Sequence, residues 1–163
     1  MIHEMSSGGS RSAPTEGNLL SVKNLVIHYE TEESVVEAAN NVSFSIRRGE
    51  TLGLVGETGA GKTTIALGIM ALLPEGVGRM VQGEIILDGQ RLTASLDGKE
   101  RGASEAEMRG IRGNKVSMIF QDPMTSLNPV LTVGDQIAEV IRHHHKLSRG
   151  EAAARAQEML RKV

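Results

Sequence analysis

Apolar and polar positions alternate in the opening third of the chain in the manner of β-strands. Leu19 to Tyr29 carries apolar residues at nearly every second position, with one slip, which predicts a strand at the edge of a sheet. Two further strands are predicted at Val35 to Ala39 and Val42 to Ile46. Asn40 and Asn41 are expected to join them, because asparagine tolerates a turn backbone. The pattern predicts antiparallel β-structure.

A strand, a glycine-rich loop and a buried helix are predicted next, in that order. Thr51 to Val55 is a short apolar run, which predicts a strand that leads into the loop Gly56 to Thr64, with the letters GETGAGKTT. From Lys62 to Leu73 almost every position is apolar or small, which predicts a helix buried on most sides. This order is the context in which a glycine-rich loop binds phosphate.

Short strands continue into the middle of the chain. The turn signal Asp88-Gly89 predicts a hairpin whose strands are Glu84 to Leu87 and Gln90 to Leu92. The polar stretch from Thr93 to Gly102 is predicted to be a surface loop. Lys115 to Phe120, with the letters KVSMIF, is predicted to be a buried strand.

Three helices are predicted in the last third. Ser104 is expected to cap a short helix that ends near Arg112. Val133 to His145 has one apolar stripe at helical spacing. Ser148 and Glu151 form a capping box that opens a last helix, Arg149 to Val163.

Composition narrows the class of protein. The 163 residues are 39% hydrophobic and 23% charged, which is typical of a folded domain. The absence of cysteine excludes disulfides and thiolate metal sites. A net charge of -2 and only three aromatic residues, Tyr29, Phe44 and Phe120, argue against a nucleic-acid binder. Residues 1–17 are rich in serine and glycine and are expected to form a flexible tail, without the apolar stretch of a secretion signal.

The glycine-rich loop has the spacing G-x-x-x-x-G-K-[ST] of a phosphate-binding loop. Gly56, Gly61, Lys62 and Thr63 occupy the defined positions, and Gly59 adds another glycine. Glycines let successive amides point inward at a helix N-terminus, where the dipole adds about half a positive charge. Lys62 is expected to bridge the outer phosphates, and the Thr63 hydroxyl to ligate magnesium. The loop predicts binding of a nucleoside triphosphate with magnesium, and the alternative is a chance glycine-rich turn.

At this loop, and again at KVSMIFQDPMTSLNP, the sequence resembles the ATP-binding subunits of ABC transporters, in the branch that imports oligopeptides, dipeptides or nickel. The resemblance runs from about Leu19 to Val163. It implies an α/β fold: a P-loop NTPase core with an antiparallel β-subdomain and the start of a helical subdomain near residue 125, all within an incomplete domain over residues 18–163.

The resemblance also implies ligands, partners and a location. ATP and Mg²⁺ are the implied ligands, and the implied activity is ATP hydrolysis coupled to import of peptides or related solutes. The implied partners are transmembrane permease subunits, a second ATP-binding subunit and, indirectly, a solute-binding protein. Such subunits lie peripherally on the cytoplasmic face of the cell membrane.

Family roles carry over to individual residues by the same resemblance. Tyr29 matches the aromatic residue that stacks on adenine, and Gln121 matches the glutamine that contacts magnesium and the attacking water. From position alone, Tyr29 is equally an ordinary strand aromatic, and Gln121 is a polar residue that ends a strand. Lys62 and Gln121 are the implied catalytic residues, and Thr63 and Gln121 the implied magnesium ligands. The implied nucleotide-binding set is Tyr29, Gly56, Glu57, Thr58, Gly59, Ala60, Gly61, Lys62, Thr63 and Thr64.

Histidines and basic residues near the end of the chain admit two interpretations. His143, His144 and His145 suggest a metal site, but consecutive helical residues point about 100° apart and cannot face one ion together. A solvated helix face is therefore the favoured interpretation. The nearby basic residues are likewise expected to lie on a solvent-exposed surface, with contact to a partner as the alternative. They are Arg142, Lys146, Arg149, Arg155, Arg161 and Lys162.

Three motifs of an ABC ATPase do not occur in this sequence: an LSGGQ-type signature, an apolar strand that ends in Asp-Glu, and a later histidine. Leu147 to Glu151 and Ile85 to Asp88 imitate the first two at the wrong places in the order. Without the glutamate as general base, the chain alone is expected to hydrolyse ATP poorly or not at all.

Two hypotheses remain for the chain as a whole. The leading one is the N-terminal part of a transport ATPase, and the alternative is an ATP-binding module without turnover. A GTPase is disfavoured, because neither D-x-x-G nor N-K-x-D occurs.

Overall fold

A computed structural model describes residues 17–96, 99–121 and 126–163 of the chain. The predicted tail therefore lies outside the described residues, except for Gly17. The chain divides into two compact units, and the division falls between Arg109 and Gly110. The predicted start of a helical subdomain near residue 125 stays a prediction, since residues 122–125 are not described.

The first unit contains a five-stranded antiparallel sheet in the order β2-β1-β3-β4-β5. The prediction of antiparallel β-structure is confirmed, as is the hairpin at Asp88-Gly89, which joins β3 to β4. The strands are β1 Asn18–Glu30, β2 Val35–Arg47, β3 Gly78–Leu87, β4 Gln90–Leu96 and β5 Lys99–Gly102.

Three details of the predicted sheet are wrong. β1 is an interior strand and not an edge strand, because β3 pairs with its second side, with Leu20 opposite Leu87. The two strands expected around Asn40 and Asn41 are one strand, since the left-handed backbone of Asn41 (φ 51°) is absorbed as an irregularity within β2. The expected loop from Thr93 to Gly102 forms β4 and β5, which pair antiparallel.

One helix, α1 Lys62–Ile69, follows the glycine-rich loop. Its buried residues are Thr64, Ile65 and Gly68, and a Cβ added at Gly68 would lie 2.8 Å from Ile27 Cδ1, so this face packs directly on β1. The helix is shorter than predicted, because Ala71 takes a left-handed backbone (φ 49°) just after it. It is also less buried than predicted. The largest fully buried side chains of this unit are Leu25, Ile27, Ile65, Ile85, Leu92, Met108 and Val22.

Two predicted strands do not form among the described residues. Each segment contains a single residue in an isolated β-bridge. These residues are Val55 in Thr51 to Val55 and Val116 in Lys115 to Phe120. A strand needs a hydrogen-bonded neighbour, and no named strand of the described sheet pairs with either segment. Ile119 is 96% exposed as a result. The prediction that Lys115 to Phe120 is buried is therefore wrong.

Three helices lie after the sheet in the chain. They are α2 Glu105–Ile111, which crosses the division between the units, α3 Val133–His145 and α4 Arg149–Arg161. All three were predicted, with the bounds of α3 as expected. Ala138 and Ile141 of α3 pack with Ala152 and Ala156 of α4 in a small separate core. No helix in the described part of the chain is long and apolar enough to cross a membrane.

Candidate functional site

The glycine-rich loop of the first unit is built on backbone conformations that glycine adopts readily. Gly59 (φ 83°) and Gly61 (φ 79°) both take the left-handed backbone. A Cβ added at Gly56 would lie 3.2 Å from the Cβ of Ala60, which is closer than an ordinary van der Waals contact, so the loop closes tightly at this glycine. Glu57 and Thr58 are exposed at its tip. The spacing of glycines in the sequence therefore has a direct geometric reason.

Lys62 folds back over this loop. Its Nζ donates hydrogen bonds to the carbonyl oxygens of Gly56 at 2.7 Å and Glu57 at 2.6 Å. An ammonium group carries one more N–H than these two carbonyl oxygens use. The positive charge is thus held against the loop backbone, where a phosphate can accept from it.

The first turn of α1 leaves its amides open. Its N-cap is Gly61, which has no side chain to accept from them, and no acidic residue lies in the first turn. The backbone N–H groups at a helix start have no partner within the helix, and the dipole makes this end positive. Thr63 in this turn is exposed, whereas Thr64 is buried. Together, these features suit an anion with several oxygen atoms.

Tyr29 lies beside the same turn. Its hydroxyl donates a hydrogen bond to Thr64 Oγ1 at 3.3 Å, and the ring is half-buried. A Cβ added at Gly78 would lie 2.9 Å from Tyr29 Cε1, so one edge of the ring covers this glycine. The structure thus brings Tyr29 to the loop from a position distant in sequence. Sequence reasoning missed Gly78, and only the pairing of β1 with β3 identifies it.

An open cavity of about 750 Å³ lies on another side of the loop. Gly59 and Ala60 line it, together with residues of β2 and the segment Leu52 to Leu54. Glu37 is the one charged residue among those that line it. The charge that suits a phosphate is therefore concentrated at Lys62 and the start of α1, not in this cavity.

Gln121 belongs to the second unit. It is exposed and immediately precedes residues 122–125, which lie outside the described part of the chain. Its predicted roles with magnesium and water stay predictions.

The histidines at the end of α3 are arranged around a glycine. The rings of His143 and His144 meet edge to face with centroids 5.1 Å apart. His144 also packs on Gly113, where an added Cβ would lie 2.7 Å from its Nε2. Among the described residues, no group of three or more histidine, aspartate or glutamate side chains is placed to hold a metal ion.

Carboxyl groups with lowered pKa values lie at two helix starts and on the last helix. Backbone and side-chain hydrogen bonds from Ser104 lower the pKa of Glu107, and side-chain and backbone hydrogen bonds from Ser148 lower that of Glu151. A hydrogen bond from Lys162 lowers the pKa of Glu158. All three pairs are local helix contacts, so these shifts reflect helix stabilisation and not proton-transfer chemistry.

Comparison with known proteins identifies relatives over most of the chain. The family model described as "ABC transporter" matches residues 39–163. A probable peptide ABC transporter ATP-binding protein, y4tR of Sinorhizobium fredii, is 48% identical over 153 residues. That match covers 94% of this chain and 43% of the relative. The glutathione import ATP-binding protein GsiA of Escherichia coli is 48% identical over 147 residues, which cover 90% of this chain and 23% of the relative.

A solved structure shares the fold. It is the ATP-binding cassette MJ0796, determined as a dimer in a post-hydrolysis state bound to ADP and Pi. The TM-score is 0.67 at 24% identity, over 87% of this chain and 56% of that one. The chain therefore has the α/β fold of such a cassette, and it spans less than half the length of the two curated relatives.

Proposed function

The chain belongs to the ABC transporter family, and on that premise we propose that it is the ATP-binding portion of an importer subunit. In this proposal, ATP binding and hydrolysis by the whole subunit drive uptake of peptides or related solutes. Two relatives that match over most of the chain are named for peptide transport and glutathione import, which supports this choice of solute.

The combination of Lys62, the glycine loop and the uncapped start of α1 carries this proposal. Lys62 Nζ lies within 2.7 Å of two carbonyl oxygens of the loop, to which it donates hydrogen bonds. Its third N–H can turn to a phosphate. The open amides of α1 would then donate hydrogen bonds to phosphate oxygens. These residues fit the triphosphate of ATP.

Tyr29, Thr63 and Gln121 complete the proposed ligand set. We assign the exposed Thr63 hydroxyl to Mg²⁺, and Gln121 to Mg²⁺ and the attacking water. Bound Mg²⁺ neutralises charge on the phosphates, and ATP supplies the free energy of the transport step. We assign the Tyr29 ring to the adenine base, on which an aromatic face stacks.

Partners follow from the proposed transport role. Permease subunits would form the path through the membrane, and a second ATP-binding subunit would pair with this one, in line with the dimer seen for the solved cassette. A solute-binding protein would act through the permease. The subunit would lie peripherally on the cytoplasmic face.

Titration with magnesium-ATP tests the loop. Lys62→Ala should weaken ATP binding by at least about 1.5 kcal/mol, or more than tenfold, because a charge-assisted hydrogen bond to phosphate is lost. Calorimetry on the purified chain measures this affinity.

Lys115→Ala is the matched control, because Lys115 is an exposed lysine of the second unit with no part in the loop. Unchanged affinity in Lys62→Ala would refute the phosphate-loop assignment. In cells that carry the whole transporter, the same Lys62→Ala change should abolish uptake of a labelled peptide, and normal uptake would refute the transport role.

A further inference from the structure

Tyr29 is restrained by residues on two other parts of the first unit. We propose that Thr64 and Gly78 are positioning residues that hold the Tyr29 ring ready for the adenine base. This inference rests on the proposed function, because it takes Tyr29 as the platform for that base. In this inference, Thr64 contributes to binding of the base through Tyr29, although Thr64 itself lies next to the proposed phosphate site.

The first restraint acts on the hydroxyl end of the ring. The Tyr29 hydroxyl donates to Thr64 Oγ1 at 3.3 Å in a partly buried position. Thr64 is 8% exposed and lies in the first turn of α1, which packs on β1. An acceptor on a packed helix has little freedom, so this hydrogen bond fixes the distance between the ring and the start of α1.

The second restraint acts on the ring edge. Tyr29 and Gly78 face each other across the β1–β3 pairing. A Cβ added at Gly78 would lie 2.9 Å from Tyr29 Cε1, 3.1 Å from the Cβ of Leu73 and 3.1 Å from the Cδ of Pro74. The ring edge therefore occupies the space that any larger residue at position 78 would fill. Gly78 does not have a left-handed backbone, so alanine differs from it only by the added methyl group.

Both restraints order the ring before a ligand arrives. A side chain that is already ordered loses less conformational entropy when a base stacks on it, so binding is tighter. Inorganic tripolyphosphate has no base and does not use the ring. Loss of the Tyr29 hydroxyl group or of the space at Gly78 should therefore weaken ATP binding and leave tripolyphosphate binding unchanged, because neither group lies in the phosphate loop.

Calorimetric titration of the full chain with magnesium-ATP and with magnesium-tripolyphosphate tests this difference. Thr64→Val removes the acceptor at nearly constant shape and should weaken ATP binding about 3- to 10-fold, the effect of one hydrogen bond. Thr64→Ser keeps an acceptor and should recover most of this loss. Tyr29→Phe should match Thr64→Val, and the double variant should lose no more than either single variant, because both remove the same hydrogen bond.

Gly78→Ala tests the second restraint independently of the hydroxyl group. It should also weaken ATP binding severalfold without changing tripolyphosphate binding, because the methyl displaces the ring edge. Gly53→Ala is the control, since a methyl group there meets nothing within 4 Å. Because Gly78 and Thr64 lie on different elements, a folding defect in one variant leaves the other as a test.

The outcomes separate this inference from the proposed function. Equal weakening of ATP and tripolyphosphate binding in both Tyr29→Phe and Gly78→Ala would mean that these changes act on the phosphate end of the site, and would overturn the inference. Unchanged ATP affinity in both Thr64→Val and Gly78→Ala would overturn it as well. Either result leaves the proposed function standing as long as Lys62→Ala weakens ATP binding. A wild-type chain that binds neither ligand would overturn both.

Discussion

The first turn of α1 and the first turns of the other three helices are built in opposite ways. In α2, α3 and α4, a hydroxyl accepts from the backbone N–H three residues on, and an acidic residue stands at that position. α1 begins at Gly61 with neither. A helix whose first N–H groups are already hydrogen-bonded to a capping side chain offers fewer donors to an anion. Of the four helices α1 to α4, α1 alone lacks such a cap. The capping pairs are Ser104–Glu107, Thr132–Asp135 and Ser148–Glu151.

The difference shows how each helix is stabilised. A capping hydroxyl contributes about 1 kcal/mol to a helix, and α1 forgoes this contribution. α1 relies on packing, since Ile65 is 1% exposed and Gly68 lies against Ile27. The chain therefore uses tertiary packing at the one start, among the described helices, that has no side-chain cap.

Giving α1 an acidic first turn should have the largest effect. Thr63→Asp should weaken magnesium-ATP binding by about 3 kcal/mol, over a hundredfold, because a carboxylate repels the phosphates and a hydroxyl ligand is lost. The measurement is calorimetric titration of the purified chain.

Thr51→Asp provides the matched control. Thr51 is an exposed threonine of the same unit that lies outside α1, so the added charge there should change ATP affinity far less. Equal losses in the two variants would show that net charge, and not the open helix start, governs binding.

Removing a cap from a capped helix should have a smaller effect, and on a different quantity. Thr132→Ala removes the acceptor for the Asp135 N–H at 3.1 Å and should lower the free energy of unfolding by about 1 kcal/mol. Urea titration followed by circular dichroism measures it, with Thr51→Ala as control. Tripolyphosphate affinity should not change, because this cap contacts only its own helix. A loss of that affinity would contradict the division of roles.

The smallest expected effect concerns pH. Hydrogen bonds from Ser148 hold the pKa of Glu151 below its ordinary value of 4.5, so the folded state binds this proton less tightly than the unfolded state. The resulting stability is complete above pH 4.5 and is lost as the pH falls through the lowered pKa.

Urea midpoints measured between about pH 6 and pH 3 should therefore decline below the ordinary glutamate pKa. Glu151→Gln keeps an acceptor and cannot titrate, so it should show a shallower decline. An identical decline in the wild type and in Glu151→Gln would rule out a contribution from this capping box.

Helix starts were predictable because their information is local. The apolar stripe from Val133 predicted the start of α3, and the capping box of Ser148 and Glu151 predicted the start of α4; the structure begins both helices at the predicted residues. The phosphate loop was recognisable for the same reason, since all its defining residues are contiguous.

Strand pairing was less predictable because it depends on distant residues. Nothing within β1 indicates that β3 covers its second side, and nothing within Thr51 to Val55 indicates that no named strand pairs with it. The link between Tyr29 and Thr64 joins residues 35 positions apart. A sequence pattern can identify Tyr29 and Thr64 separately as candidate site residues, but only the fold shows that they are in contact.

The pairing of β1 with β3 has a consequence for the order of folding. It places Leu20 opposite Leu87, so the whole phosphate loop and α1 lie inside a chain loop that this pairing closes. Long-range closure of this kind is slow compared with helix formation, because chain entropy is lost before contacts compensate. In kinetic terms, we expect the proposed phosphate site to be completed late in folding, when the two ends of that loop meet.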